Sequence, residues 1–176
     1  MYLWVGCKLP EEFEREIRAH CLKLNQQIGL DPVTFELPQH ISLKISFQTD
    51  RPEAVLAGLE DFLSAPPPFA VDILEAEQFG SILWLTVAEN EVLDRLHREL
   101  DAYLERHFGI PQHEFDKCFK FHSTLFMDAA TEKVCQMCNA LEDYPFRRRL
   151  SVDTFLLGIS ETGKPGTCRI VRQIKV

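Results

Sequence analysis

Two stretches of the chain repeat a pattern with chemical content: His40-Ile41-Ser42-Leu43 and His122-Ser123-Thr124-Leu125. On a strand, residues i and i+2 face the same side, roughly 6–7 Å apart. His40 and Ser42 therefore look into one space, as do His122 and Thr124. Ile41 and Leu43, then Phe121 and Leu125, anchor the opposite faces. If the two strands lie side by side, two imidazoles and two hydroxyls converge on one cleft. Lys44 and Lys120 share those polar faces and would add positive charge there, or else stand as solvated strand ends.

Such a set suits phosphoryl chemistry without a metal. One neutral imidazole takes a proton from the attacking water or hydroxyl, and the other, protonated, delivers one to the leaving oxygen. Histidine titrates near neutrality, so both forms are accessible together. The hydroxyls can donate hydrogen bonds to nonbridging phosphate oxygens, where charge builds in the transition state. Read singly, each histidine is better explained as a satisfied structural residue on a half-buried strand. The matched hydroxyls and the alternating strands favour chemistry for the pair. His20, His97, His107 and His113 fall in helical or loop patterns and read as solvent-facing or capping residues.

The elements that must position these residues follow from periodicity. Tyr2 to Leu9 reads as a strand. Pro10 opens a helix with Glu11, Glu12 and Glu14 in its first turn, where the dipole favours acids. That helix carries Phe13, Ile17, Cys21, Leu24 and Ile28 on one face and closes at Gly29. Residues 31–38 read as a loop. His40 to Phe47 alternates, with Ile41, Leu43, Ile45 and Phe47 on one side. Pro52 to Ser64 is a second helix, and Phe69 to Phe79 and Ile82 to Glu89 are strands joined across Gly80-Ser81. Glu91 to Phe108 is a third helix, Lys120 to Met127 a strand, and Thr131 to Leu141 a fourth helix. Leu150 to Ile159 and Arg169 to Val176 form a last strand pair, joined by a loop holding Gly163, Pro165 and Gly166. Helices alternate with strands close enough to pair antiparallel, which predicts an α+β fold with an internal duplication.

Composition narrows the classes. The 176 residues are 45% hydrophobic and 26% charged, ordinary for a globular protein, with a net charge of −8. That charge argues against coating a long nucleic acid, since such affinity comes from many Lys and Arg on phosphates. It leaves room for an enzyme that touches one or two phosphates. No run of about 18 apolar residues suggests a membrane span, and the start lacks a signal-peptide pattern, so a cytoplasmic protein is expected. The six cysteines, Cys7, Cys21, Cys118, Cys135, Cys138 and Cys168, read as free, buried or half-buried thiols. The competing reading is zinc at Cys135-Gln-Met-Cys138 with Cys118 and His122 upstream, but the pair sits in a helical pattern without a knuckle turn.

The paired His-x-Ser/Thr motifs resemble those of the 2H phosphoesterase superfamily, which includes the bacterial 2′-5′ RNA ligases and related cyclic nucleotide phosphodiesterases. The opening strand Tyr2 to Leu9, and Phe79 followed by Ile82-Leu83-Trp84-Leu85-Thr86-Val87, look like the corresponding strands. The resemblance spans most of the chain. It implies one domain over residues 1–176, with two lobes of duplicated antiparallel sheets flanked by helices, related by a pseudo-twofold axis, and the cleft between them. It also implies His40 and His122 as the catalytic pair, Ser42 and Thr124 as phosphate-contacting hydroxyls, and no metal or other cofactor. One departure is visible: members often carry Pro directly before the second histidine, and here it is Phe121. Near the first histidine, Pro38 is kept with Gln39 between.

The leading expectation is metal-independent hydrolysis of a cyclic phosphodiester, a 2′,3′-cyclic phosphate on an RNA end or a small nucleotide, by a monomer. The same residues would serve the reverse reaction, a 2′-5′ RNA ligase joining a 2′,3′-cyclic phosphate to a 5′-hydroxyl end. Ligation would need a basic rim, for which Arg147-Arg148-Arg149, Arg169, Arg172 and Lys175 are candidates, although solvated charges explain them equally well. A noncatalytic RNA-binding domain is the third reading; loss of a motif histidine or hydroxyl would mark it, and all four are present.

Overall fold

The computed structural model describes residues 1–164 and 166–176. In chain order the elements are β1 (Tyr2–Lys8), α1 (Glu11–Ile28), β2 (His40–Gln48), α2 (Pro52–Leu63), β3 (Phe69–Phe79), β4 (Ile82–Val87), α3 (Glu91–Phe108), β5 (His122–Met127), α4 (Thr131–Ala140), β6 (Arg148–Val152), β7 (Thr154–Ser160) and β8 (Arg169–Lys175). Single 3-10 turns lie at Val33–Glu36, inside the expected loop, and at Glu114–Cys118. Pro165, expected in the loop before β8, lies outside the described residues.

Local signals set the helix ends. The Asn90 side chain accepts the main-chain N–H groups of Val92 and Leu93 and starts α3. Gly29 and Gly109 close α1 and α3 in the left-handed conformation, at φ 73° and 67°, which a residue with a Cβ rarely adopts. Phe13, Ile17 and Cys21 form the buried stripe of α1, as their spacing predicts.

The strands form two antiparallel four-stranded sheets, in the orders β2-β1-β7-β8 and β5-β4-β3-β6. Each sheet carries one histidine strand at its edge, and these edges, β2 and β5, approach one another. The α+β class is therefore observed, but the two sheets are not consecutive halves of the chain. The C-terminal strands β7 and β8 return to complete the sheet begun by β1 and β2. The single strand expected over Leu150 to Ile159 is divided at Asp153: β6 pairs with β3 in one sheet and β7 with β1 in the other. β6 is mostly exposed or half-buried and β7 almost wholly buried, but a local pattern cannot report which distant strand each one pairs with. α3 packs on β2 and α4 on β3 and β4. One continuous apolar cluster runs through both sheets, from Leu3, Val5 and Phe155 to Leu83, Leu85 and Phe126.

The expected alternation of β2 breaks midway. Gly6 pairs with Ser42 but Val5 pairs with Lys44, and Leu3 pairs with Phe47, so two extra residues are accommodated as bulges. Each bulge shifts the side-chain phase by one. Lys44 consequently pairs with Val5 and is buried at the back of the cavity, and Ile45, expected in the core, borders the cavity as well.

Candidate active site

A cavity of about 770 Å³ lies between the two sheets, and both motif histidines border it. The atoms that bind each ring are alike. His40 Nδ1 lies 2.8 Å from the Pro38 carbonyl, and His122 Nδ1 lies 2.7 Å from the Lys120 carbonyl. A carbonyl oxygen only accepts, so Nδ1 carries the proton in both neutral rings. This leaves Nε2 as the atom able to take or give a proton. Burial holds both imidazoles below the usual histidine range, the carbonyl bonds oppose the shift, and His122 further disfavours charge on His40.

Ser42 borders the cavity beside His40. Thr124 is half-buried on the His122 side of β5, opposite Trp84, but is not part of the cavity wall. Lys120 is exposed and reaches the cavity rim. Lys44 departs from expectation. Its side chain lines the back of the cavity but is only 1% exposed, and its ammonium is bound by Asp101 and lies 2.7 Å from Asp116. It is a neutralised structural charge, placed there by the β2 bulge, and brings no free positive charge to the cleft.

The same cluster corrects the reading of His97, which is buried. Its ring nitrogens lie 2.6 Å from the Leu43 carbonyl and 2.9 Å from the Asp116 carbonyl, which holds the ring between β2 and the Glu114–Cys118 turn. His113 caps the Glu114–Cys118 turn by accepting the Phe115 N–H, as a capping residue should. His20 and His107 lie against Tyr144 and Tyr103.

Several site residues carry no motif. Gln39 and Ser123, the inward neighbours of the two histidines, form a buried hydrogen bond of 2.9 Å that ties β5 to the start of β2. Trp4 stacks on His40 with ring centroids 4.6 Å apart, and Trp84 lies 4.2 Å from His122. Phe79 stacks on Trp84 and stays 64% exposed, while Phe115 is 72% exposed on the facing wall with Phe119. No local pattern connects Phe79 with Phe115; only the fold brings them to one cavity.

The candidate basic residues lie elsewhere. Arg147, Arg148 and Arg149 pair with Glu75, Glu16 and Asp72, Arg172 with Glu60, and Lys175 with Asp153. Arg169 borders a separate surface pocket beside Met1. All six cysteines are free, with Cys118 and Cys135 exposed rather than buried. Among the described residues no three His, Cys, Asp or Glu side chains gather to hold a metal ion. No described helix is long and apolar enough to cross a membrane.

Comparison with known proteins agrees with this architecture. A search of curated proteins found no match. Among solved structures, TT0787 of Thermus thermophilus superposes with a TM-score of 0.67 at 22% identity, covering 99% of this chain and 97% of that one. E. coli LigT complexed with ATP gives 0.67 at 20% identity over 99% and 97%. LigT complexed with 3′-AMP gives 0.60 at 18% over 99% and 96%. These likenesses establish the fold, that of the LigT-like 2H phosphoesterases. The profile of the 2′-5′ RNA ligase superfamily matches residues 10–164, and the chain belongs to that superfamily.

Proposed function

We propose that the protein hydrolyses a 2′,3′-cyclic phosphodiester, on a small nucleotide or a short RNA end, with His40 and His122 as general base and general acid. The observation that carries this reading is the convergence of two imidazoles on one cavity, each with Nδ1 bound to a main-chain carbonyl and Nε2 available. One Nε2 removes a proton from water as its oxygen bonds to phosphorus. The ring P–O bond breaks, and the other Nε2 protonates the departing ribose oxygen. Water is consumed, a phosphomonoester and a free hydroxyl form, and the two imidazoles exchange protonation states. No metal takes part in these steps. Ser42 donates to a nonbridging oxygen. Thr124, on the same side of β5 as His122, is assigned the same part in the other lobe. Lys120 supplies the cationic charge at the rim.

The size and lining of the cavity support a nucleotide rather than a long strand. Phe79, Phe115 and Phe119 give flat apolar surface on which a base can stack. Arg147, Arg148, Arg149 and Arg172 pair with carboxylates away from the cleft, which also favours a short substrate. E. coli LigT has been crystallised with 3′-AMP and with ATP, ligands of the size this cavity accommodates.

A panel of 2′,3′-cyclic nucleotides and cyclic-phosphate RNA ends, incubated with and without EDTA, tests the proposal. Turnover that survives EDTA and falls by about 10²–10⁴-fold in His40→Ala and His122→Ala is expected. Wild-type-like turnover in either variant would refute the acid–base assignment.

A further inference from the structure

The sheet beneath His40 is unusually bare. Gly6 and Gly158 lie on its cleft side, and each bears a ring. Gly158 pairs with Trp4 across β1 and β7. A Cβ on Gly158 would fall 2.0 Å from Nε1 and Cε2 of Trp4, so the indole lies flat on the glycine backbone. A Cβ on Gly6 would meet His40 Cδ2 at 2.9 Å. His40 thus lies across one bare position and reaches Trp4, which lies across the next.

In the other lobe, Trp84 pairs with Thr124 as Gly6 pairs with Ser42. The two lobes therefore solve the same problem with different residues. His122 rests on a tryptophan at the position where His40 rests on a glycine. Phe79, stacked on the outer face of Trp84 at 5.1 Å and 8°, extends that column. The indole N–H groups of Trp4 and Trp84 are buried and find no acceptor in the protein; among the described residues they are the only such side-chain atoms. Hydrogen bonding thus gives no reason for an indole at either place, and a buried, unpaired donor costs stability. What both rings do is present a face to a motif imidazole. The Nδ1 bond alone leaves each imidazole free to rock about that bond. A flat wall removes this freedom and directs Nε2 into the cleft.

We propose that Trp4 and Trp84 are positioning residues that fix the ring planes of His40 and His122, and that Gly6 and Gly158 are the notches that admit the Trp4–His40 stack. This rests on the phosphodiesterase reading for its consequence in turnover, but the contact itself can be measured without turnover. With Trp84 replaced by Phe, Trp4 is the sole indole. A protonated imidazole stacked on an indole quenches its emission, so Trp4 fluorescence should fall as the pH is lowered through the titration of His40. His40→Asn should abolish that fall. Emission that is independent of pH, or a fall that persists in His40→Asn, overturns the stack.

The kinetic arm uses Trp4→Leu, Trp4→Phe and Gly158→Ala, each checked for folding by circular dichroism. Leu at position 4 and Ala at position 158 should each lower kcat by about 10- to 100-fold, because small misplacement of a reacting group is costly. KM should change little, and Phe at position 4 should recover most of the loss. Because Gly158 acts through Trp4, adding Gly158→Ala to Trp4→Leu should cost almost nothing more. Additive losses, or losses confined to KM, overturn the positioning role. If the wild type turns over no cyclic phosphodiester while Trp4 still titrates with His40, the proposed reaction fails and the stack stands.

Discussion

Replacing Lys44 by Met tests the buried charge cluster behind the cleft. The Lys44 ammonium is bound by Asp101 and Asp116, whose side chains are 7% and 0% exposed. Met fills a similar volume but removes the one ammonium that binds both carboxylates. Asp116 keeps the N–H groups of His113 and Ile45, and Asp101 keeps the Gln112 amide. Removing one partner of a buried pair costs about 3–5 kcal/mol. For a urea slope of about 2 kcal/mol/M, the midpoint should drop by about 1.5–2.5 M. The sign of the pH dependence is fixed by Asp116. Burial pushes its carboxyl up, but the Lys44 contact and the two N–H bonds outweigh this and hold it below its ordinary 3.8. Its contribution to wild-type stability is present above that value and is lost as the pH falls through the lowered one. In the variant Asp116 loses the ammonium that lowers its pKa while burial still favours its neutral form, so the gap between the two proteins should be widest near neutrality and narrow in acid. Urea unfolding at a series of pH values measures this directly. A gap below about 1 kcal/mol at pH 7, the scale of an exposed pair, would refute the cluster as a buried ion pair. So would a gap that does not change with pH.

Three other outcomes are expected. Because burial depresses both motif imidazoles below the ordinary 6.5, and kcat/KM reports groups of the free enzyme, its pH profile should be a bell centred on the acid side of that value. A flat profile, or a centre above neutrality, would contradict the two-histidine site. Alanine at Phe79 or Phe115 should raise KM for a cyclic nucleotide by an amount equivalent to about 1–3 kcal/mol per lost stack, with little effect on kcat; an unchanged KM would remove the base platform. Ser123→Ala strands the buried Gln39 amide oxygen and should lower stability by about 1–3 kcal/mol, whereas a shift in midpoint no larger than that of an exposed Ser→Ala would show that the hydrogen bond between the histidine strands is dispensable.

The sequence by itself determined most of the local elements and singled out the two histidines proposed to react. Helical spacing located α1 and α3, and alternation located the start of β2, because both signals come from nearest neighbours along the chain. The repeated His-x-Ser/Thr pattern identified His40 and His122 because a strand's two-residue period forces each histidine and its hydroxyl to one side. What the tertiary structure decided depends on contacts between distant segments. The bulges in β2 buried Lys44 at the back of the cavity and brought Ile45 to its wall, a choice set by pairing with β1 and invisible in the alternation of β2 alone. The break at Asp153 sent β6 and β7 to different sheets, and so closed the first sheet with the end of the chain. The walls behind the imidazoles, Trp4 over Gly158 and Trp84 under Phe79, join residues that no local pattern connects. Local spacing supplies the two imidazoles, but packing across strands fixes where they point.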